Sequence, residues 1–271
     1  MHRPISRNAK RMRLLVTFAV KAEFSPWSSR HPFVPYEFEN WERRRDFDVF
    51  KANIGSTEAT VLLTGIGGEN ADMALRSIPV ESYDVCISTG LAGALEAGLE
   101  PGDVVVARTS KTLDKEVKVG SDSALVDCAV ACGAWSAKSS ITVERIAATA
   151  EEKEKLGSRG SIVEMETAYI LAAAEKKHVP AVAIRAISDA VDEDLPLDFS
   201  RILDSRGRFK VGGLLREVGL HPYRIGPLLK FARQSHAAAR KLADFLDRYV
   251  PALAVRSSRV GSQNVEEVSA T

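Results

Sequence analysis

Very little in this sequence marks a secreted, membrane-spanning or polyanion-binding protein. Three cysteines (Cys86, Cys128, Cys132) in 271 residues cannot build a disulfide framework and suit a reducing compartment. Cys128 and Cys132 lie four apart with no other ligand type beside them, so they read as small packing residues. Neither charge is in surplus: 37 basic and 36 acidic side chains leave +1, which gives no global attraction to nucleic acid or an anionic surface. No apolar run approaches a membrane span. The opening "MHRPISRNAKRMRLLVTFAV" is basic and then apolar, like a secretory signal. Its apolar run, 14–20, is only seven residues, lacks a small-residue cleavage site and meets Lys21 and Glu23 at once. A loose basic leader over 1–12 before a first strand fits better, and the chain reads as cytoplasmic. Aromatics are few, 7% of the chain, yet 24–50 holds eight of the 18: Phe24, Trp27, Phe33, Tyr36, Phe38, Trp41, Phe47 and Phe50.

What is present is ordinary for a folded domain: 45% hydrophobic, 27% charged, and a length that buries one large core. Short β-branched runs alternate with helical patterns, the sign of an α/β fold. Strands are expected near 14–20, 47–52, 60–63, 85–88, 103–107 and 181–187. Helices are expected at 69–77, 161–177 and 227–249, with weaker signals near 124–132 and 150–156. Prolines 26, 32 and 35 argue for a loop in the first half of the aromatic segment, which then serves as a cover on the core or as a wall beside a ligand. The helix at 227–249 is amphipathic, with Leu228, Ala232, Ala239, Leu242, Leu246 and Tyr249 on one face; it either docks on the sheet or makes a peripheral membrane contact. One domain over 13–250, with an insert at about 24–50 and a mobile tail at 251–271, is the expected organisation.

Three glycine-bearing or acidic turns follow candidate strands. "TGIGGENA" (64–71) opens a helix, so its amides suit an anion or polar group; it lacks the dinucleotide fingerprint, having Asn70 where glycine is needed. "STGLAGAL" (88–95) lets backbone come close to a ligand. "GSIVEMET" sets Glu164 and Glu166 at a helix start, where carboxylates favour the dipole. "VAIRAISDAVDED" (182–194) is a buried strand that delivers Arg185, Ser188 and Asp189 before Asp192, Glu193 and Asp194, which read as a solvated loop. Taken singly, each acid has a capping or solvent explanation, and Arg185 needs an anionic partner of some kind.

In this order the segments resemble the purine nucleoside phosphorylase and nucleosidase superfamily, in particular its methylthioadenosine/S-adenosylhomocysteine nucleosidase branch. The matching pieces are "TFAVKAE", "TGIGGENA", "STGLAGALEAGLEPGDVVVA" and "VEMETAYILAAAEKKHVPAVAIRAISDAVDED". The resemblance implies a three-layer α/β/α domain with a central mixed sheet, no cofactor and no metal. It implies that Asp189 protonates the leaving purine, that Glu23 is the general base for water with Arg185 nearby, and that Glu166 accepts hydrogen bonds from the ribose hydroxyls. Met165 would pack on the sugar, and Glu164, Gly67, Leu91, Ala92, Gly93 and Ser188 would complete the substrate site. An acid at neutral pH must be kept protonated by its surroundings. The base-stacking residue is not evident; the loop 141–146 is the nearest candidate.

The nucleophile divides hydrolases from phosphorylases. Phosphate-using relatives carry arginines in the first-strand loop and a serine after the "TG" glycine; this chain has Lys21 and Leu91 there, and Leu91 also departs from ordinary nucleosidases. Hydrolysis of a purine nucleoside, with adenine as the base and a modified 5′ position, is therefore expected, with phosphorolysis as the alternative. "GLAGAL", the aromatic segment and "PLDFSRILDSRGRFKVGGLL" look like the hopanoid-associated phosphorylase/nucleosidase subgroup, which implies an adenosylated hopane-type lipid as substrate. A non-catalytic nucleoside-binding protein is the reading from another class. The resemblance also implies a homodimer.

Overall fold

The computed structural model describes residues 11–38, 47–113, 117–196 and 225–269, the last stretch with side chains to residue 256. Eleven strands form one mixed sheet: β1 Met12–Phe18, β2 Val34–Pro35, β3 Val49–Ile54, β4 Thr57–Leu63, β5 Val85–Ser88, β6 Leu91–Ala94, β7 Val104–Thr112, β8 Lys118–Gly120, β9 Trp135–Thr142, β10 Ile162–Glu164 and β11 Ala181–Asp189. The helices are α1 Lys21–Ser28, α2 Gly68–Arg76, α3 Ser123–Ala131, α4 Ala150–Gly157, α5 Thr167–Lys176 and α6 Ile225–Ser269. Across the sheet the order is β2-β3-β4-β1-β5-β11-β6-β10-β9-β7-β8. Its middle is parallel, β4 to β1 to β5 to β11. A further antiparallel pairing sets Ala183 to Ala186 of β11 against Ala107 to Val104 of β7 and closes β11, β6, β10, β9 and β7 into a ring.

Three layers follow from the period of the central strands. Successive side chains of a strand point to opposite faces, so a strand covered on both sides is apolar throughout. Leu14, Val16 and Phe18 of β1 and Val182, Ile184 and Ala186 of β11 pack with α1, α3 and α6. Leu15 of β1 and Ala181, Ala183 and Ile187 of β11 pack with α2 and α5 on the other side. The fold class is as expected: α/β/α about a mixed sheet.

Three expected elements differ. The helix at 161–177 is two elements, because Ile162–Glu164 is a strand between β6 and β9 and the helix begins at Thr167. A three-residue apolar strand running into a helix leaves no period of its own to read. The strand β9, "WSAKSSIT", escapes notice because it is polar; its buried hydroxyls are satisfied inside, Ser140 Oγ donating to Ser110 Oγ at 2.7 Å. The first turn of the aromatic segment is helical in spite of Pro26. The missing N–H there forfeits only a bond to the carbonyl of Ala22, an exposed residue that water can serve.

The helix α1 buries Phe24 and Trp27, which meet Phe18, Phe33 and Phe50 at ring centroid distances of 5.0 to 6.3 Å. A buried Phe or Trp is worth on the order of 3–5 kcal/mol against alanine. The described aromatics of this segment thus lie in the core or pack against it; residues 39–46, with Trp41, lie outside the described residues, as do the expected leader to residue 10 and 197–224. Helix α6 sits on the sheet through Ala238, Leu242, Phe245, Leu246, Tyr249, Val250 and Leu253, all buried. From Ala238 onward its apolar face is therefore occupied, as in the docked alternative; Ile225, Leu229 and Ala232 in its first turns are exposed. The tail drawn from 251 starts inside this helix. Asp247 of α6 accepts from Trp27 Nε1 (3.0 Å) and Arg30 (2.8 Å) and pairs with His31 (2.7 Å), fastening it to α1. No described helix is long and apolar enough to cross a membrane.

Candidate active site

The carboxyl ends of β1, β4, β5, β10 and β11 face one cavity of about 540 Å³, the place where open α/β sheets bind ligands. Among the described residues its charged lining is four carboxylates, Glu23, Glu164, Glu166 and Asp189, with His236 the one histidine and no lysine or arginine. Leu91, Ala92, Gly93, Met165 and Ser188 also line it. Every expected site residue is there except Gly67 and Arg185.

The turns that precede the helices hold the protein's own carboxylates. Glu23, in the first turn of α1, accepts from the amides of Ala19 (3.1 Å), Val20 (3.4 Å) and, across the site, Leu91 (3.0 Å). Glu166 accepts from the amide of Gly67 at 2.7 Å, in the turn that starts α2. The anion expected at "TGIGGENA" is thus Glu166. Burial raises the pKa of Glu23, against the pull of the Leu91 amide and the Arg185 charge. Burial, then the neighbouring Glu164 charge, pushes Glu166 up to about 8, with Arg185 and the Gly67 amide opposing. A carboxylate taken from water and given too few donors prefers its proton.

Two glycines make room for two acids. A Cβ on Gly90 would stand 3.1 Å from Glu23 Oε1, and the residue's φ of +144° is one that L side chains rarely adopt. A Cβ on Gly93 would stand 3.0 Å from Asp189 Oδ2 and 3.2 Å from Val163 Cγ1. "TGLAG" therefore brings β6 close to two carboxylates while Leu91, Ala92 and Gly93 line the cavity.

Two buried cations stand behind the acids. Arg185, 1% exposed, donates to Glu164 Oε2 (3.1 Å), Thr167 Oγ1 (2.6 Å), Ser88 Oγ (2.9 Å) and the Ile184 carbonyl (3.0 Å). Its role as a catalytic group is corrected: the guanidinium is committed to the scaffold because β11 turns this side chain inward. Glu164 is likewise no free substrate ligand. It accepts from Thr142 Oγ1 at 2.5 Å and from the amides of Glu166 (2.8 Å) and Thr167 (2.6 Å), fixing the start of α5. Sequence reading missed the second cation. Lys153 of α4 is fully buried with its Nζ 2.5 Å from Asp189 Oδ2. A lysine in a short, highly charged helix, "AEEKEKLG", gives no sign of burial.

The acidic loop is also more than solvent. Glu193 accepts from Lys230 (2.8 Å) and Gln234 (2.7 Å) of α6, and Asp194 accepts the amide of Ala150 at 2.8 Å at the start of α4. Away from the acids, Ile146, Leu195, Leu228 and Phe231 pack together and line the cavity. Among the described residues Phe231 is the one aromatic in the cavity lining, while the 141–146 loop supplies Val143 and Ile146. Ser235 Oγ, buried beside the cavity, has no hydrogen-bond partner among the described residues.

A family model described as the phosphorylase superfamily matches residues 13–210. A 5′-methylthioadenosine/S-adenosylhomocysteine nucleosidase of Bacillus thuringiensis subsp. konkukian is 29% identical over 186 residues, covering 57% of this chain and 78% of that one. Among solved structures, the 5′-methylthioadenosine/S-adenosylhomocysteine nucleosidase of S. pneumoniae with a transition-state inhibitor superposes with a TM-score of 0.66 at 20% identity, over 89% of this chain and all of that one. The futalosine hydrolase of Helicobacter pylori strain 26695 gives 0.66 at 18%, over 89% and 97%.

Proposed function

Because the chain belongs to the phosphorylase superfamily, we propose that it hydrolyses the N-glycosidic bond of a purine nucleoside, with adenine as base and an apolar 5′ substituent, and releases the free base. The observation that carries this reading is the cavity's charge: among the described residues four carboxylates line it and no lysine or arginine does. A phosphate dianion needs charged donors, and the turn amides of Gly67 and Leu91 already hold Glu166 and Glu23. Water needs only a base. An oxocarbenium-like sugar is stabilised by the same negative field that opposes phosphate.

The roles are those that the resemblance implies. Asp189 protonates the leaving purine, Glu166 accepts from the ribose hydroxyls, and Glu23 takes a proton from the attacking water, two carboxyl functions serving opposite sides of one bond. The apolar group of Ile146, Leu195, Leu228 and Phe231 takes the 5′ substituent, for which an adenosylated hopane-type lipid is the large candidate and a methylthio group the small one. The homodimer is carried by the resemblance alone.

Incubation with 5′-methylthioadenosine, S-adenosylhomocysteine and an adenosyl-lipid, with and without phosphate, tests the reading. Adenine should appear at a rate indifferent to phosphate, with free sugar as co-product. Phosphate-dependent formation of a ribose 1-phosphate would make the protein a phosphorylase, and no base release from any of the three would make it a binding protein. Turnover of the first two and not of the lipid removes the large substituent.

A further inference from the structure

We propose that Lys153 is a positioning residue that holds and supplies the proton Asp189 delivers to the leaving base; this rests on the nucleosidase reading above. A buried ammonium is costly unless all of its donors are matched. Lys153, at 0% exposure, matches its three: Asp189 Oδ2 at 2.5 Å, the Ala190 carbonyl at 2.7 Å and the Glu193 carbonyl at 2.7 Å. The only carboxylate among these is the one at the cavity wall. The contact falls on Oδ2, the oxygen beside which Gly93 leaves space. The other oxygen, Oδ1, accepts from Ser188 Oγ at 2.5 Å, and that hydroxyl has a second acceptor in the Ala92 carbonyl at 3.2 Å. Asp189 can thus change protonation without stranding a neighbour.

The lysine cannot swing away. Its helix is fixed at the start by a capping box between Thr149 and Glu152, by the amide of Ala150 on Asp194 and by the amide of Leu195 on the Ala148 carbonyl. Glu193 carries the connection to α6, where Gln234 bonds both its carboxylate and the Ser188 carbonyl, at 2.7 and 3.0 Å. As the bond from C1′ to the base breaks, its electron pair moves into the purine. A proton passes from Lys153 Nζ through Asp189 Oδ2 to a purine ring nitrogen, leaving Lys153 a neutral amine. Water adds to C1′ and gives its proton to Glu23. After product release Glu23 returns its proton to solvent and Lys153 takes one back, so protons balance.

The variants Lys153→Met and Lys153→Arg test this against two substrates of the wild-type protein. One is the adenine nucleoside that it turns over. The other carries a leaving group that needs no proton, a 4-nitrophenyl riboside or, where that is not accepted, the N7-methylated nucleoside. Both variants should lose on the order of 10²–10³-fold in kcat on the adenine nucleoside, with KM within about threefold, as expected for a lost proton donor. On the activated substrate kcat should stay within about threefold. Arginine keeps the charge and does not give up its proton, so it decides the matter if the methionine variant fails to fold. Equal losses on both substrates would show a structural lysine, and unchanged turnover of the nucleoside would show a bystander; either overturns the proposal. No base release by the wild type would instead remove the nucleosidase reading itself.

Discussion

Glu166→Gln should make the protein more stable and less active, with the stability gain growing with pH. In the native state burial and the adjacent Glu164 charge raise Glu166 from its ordinary 4.5 to about 8. A carboxyl raised in this way contributes stability that is fully present below about pH 4.5 and is lost as pH rises to about 8, because the unfolded chain releases the proton first. A pKa difference of one between the folded and unfolded chain is worth about 1.4 kcal/mol, so the wild type loses up to about 5 kcal/mol over that window. Glutamine has no proton to lose, and its oxygen can still accept from the Gly67 amide that holds Glu166 at 2.7 Å. Urea unfolding of both proteins between about pH 5 and about pH 9 should show no pH-dependent gain at the acid end and a plateau of several kcal/mol at the alkaline end. Activity should move the other way, since a neutral amide cannot meet a developing cation; a loss on the order of 10²-fold in kcat is expected. A stability difference that stays flat with pH would refute the account of Glu166.

Arg185→Met leaves Glu164 buried without its cation and should cost about 3 kcal/mol, the low end for a broken buried pair, because three other donors remain on that carboxylate. Adding Glu164→Leu should recover part of the loss in a double-mutant cycle followed by urea unfolding. Gly90→Ala should cost about 1–3 kcal/mol for its φ of +144° and lower kcat by displacing Glu23; thermal unfolding and base release measure the two effects. Phe231→Ala should raise KM for substrates with a bulky apolar 5′ group by about tenfold, and leave adenosine itself within about twofold, if the group it joins receives that substituent.

The layers and most of the acids were legible because their signals are local. β11 is apolar at nearly every position because helices cover both faces, and that run ends on the aspartate at the cavity. Glycines at 90 and 93 are visible as motif residues, although the sequence does not say that their missing Cβ atoms make room for Glu23 and Asp189. What was not legible depends on contacts far apart in the chain. Arg185 is separated by 97 positions from Ser88 and by 21 from Glu164, and only the sheet order shows that these partners meet its terminal nitrogens. Lys153 lies in a helix whose neighbours Glu151, Glu154 and Lys155 are exposed, so nothing local separates a buried lysine from a solvated one. Phe231 reaches the cavity because α6 folds back over the sheet ends, a long-range placement that its amphipathic period leaves open.

The charge arrangement bears on why such a site would favour a reaction over tight substrate binding. A carboxylate that burial pushes toward its neutral form, as with Glu23 and Glu166, is destabilised while the cavity holds a neutral ligand. A sugar that gains positive charge relieves that destabilisation, and two unit charges 4 Å apart attract by about 4 kcal/mol at an effective dielectric of 20. The gain exists only when the charge exists, so it lowers the barrier without tightening the ground state. A phosphate dianion in the same place meets the opposite sign, on the order of 8 kcal/mol of repulsion from one ionised glutamate at that distance. The two buried cations soften this only in part, Arg185 by opposing the raised pKa of both glutamates. Arg185 is neutralised by Glu164 and Lys153 by Asp189, each through direct contact behind the cavity wall. On the proposed reading, water is the nucleophile that this field admits, and Glu23, held by three amides at the cavity, would take its proton.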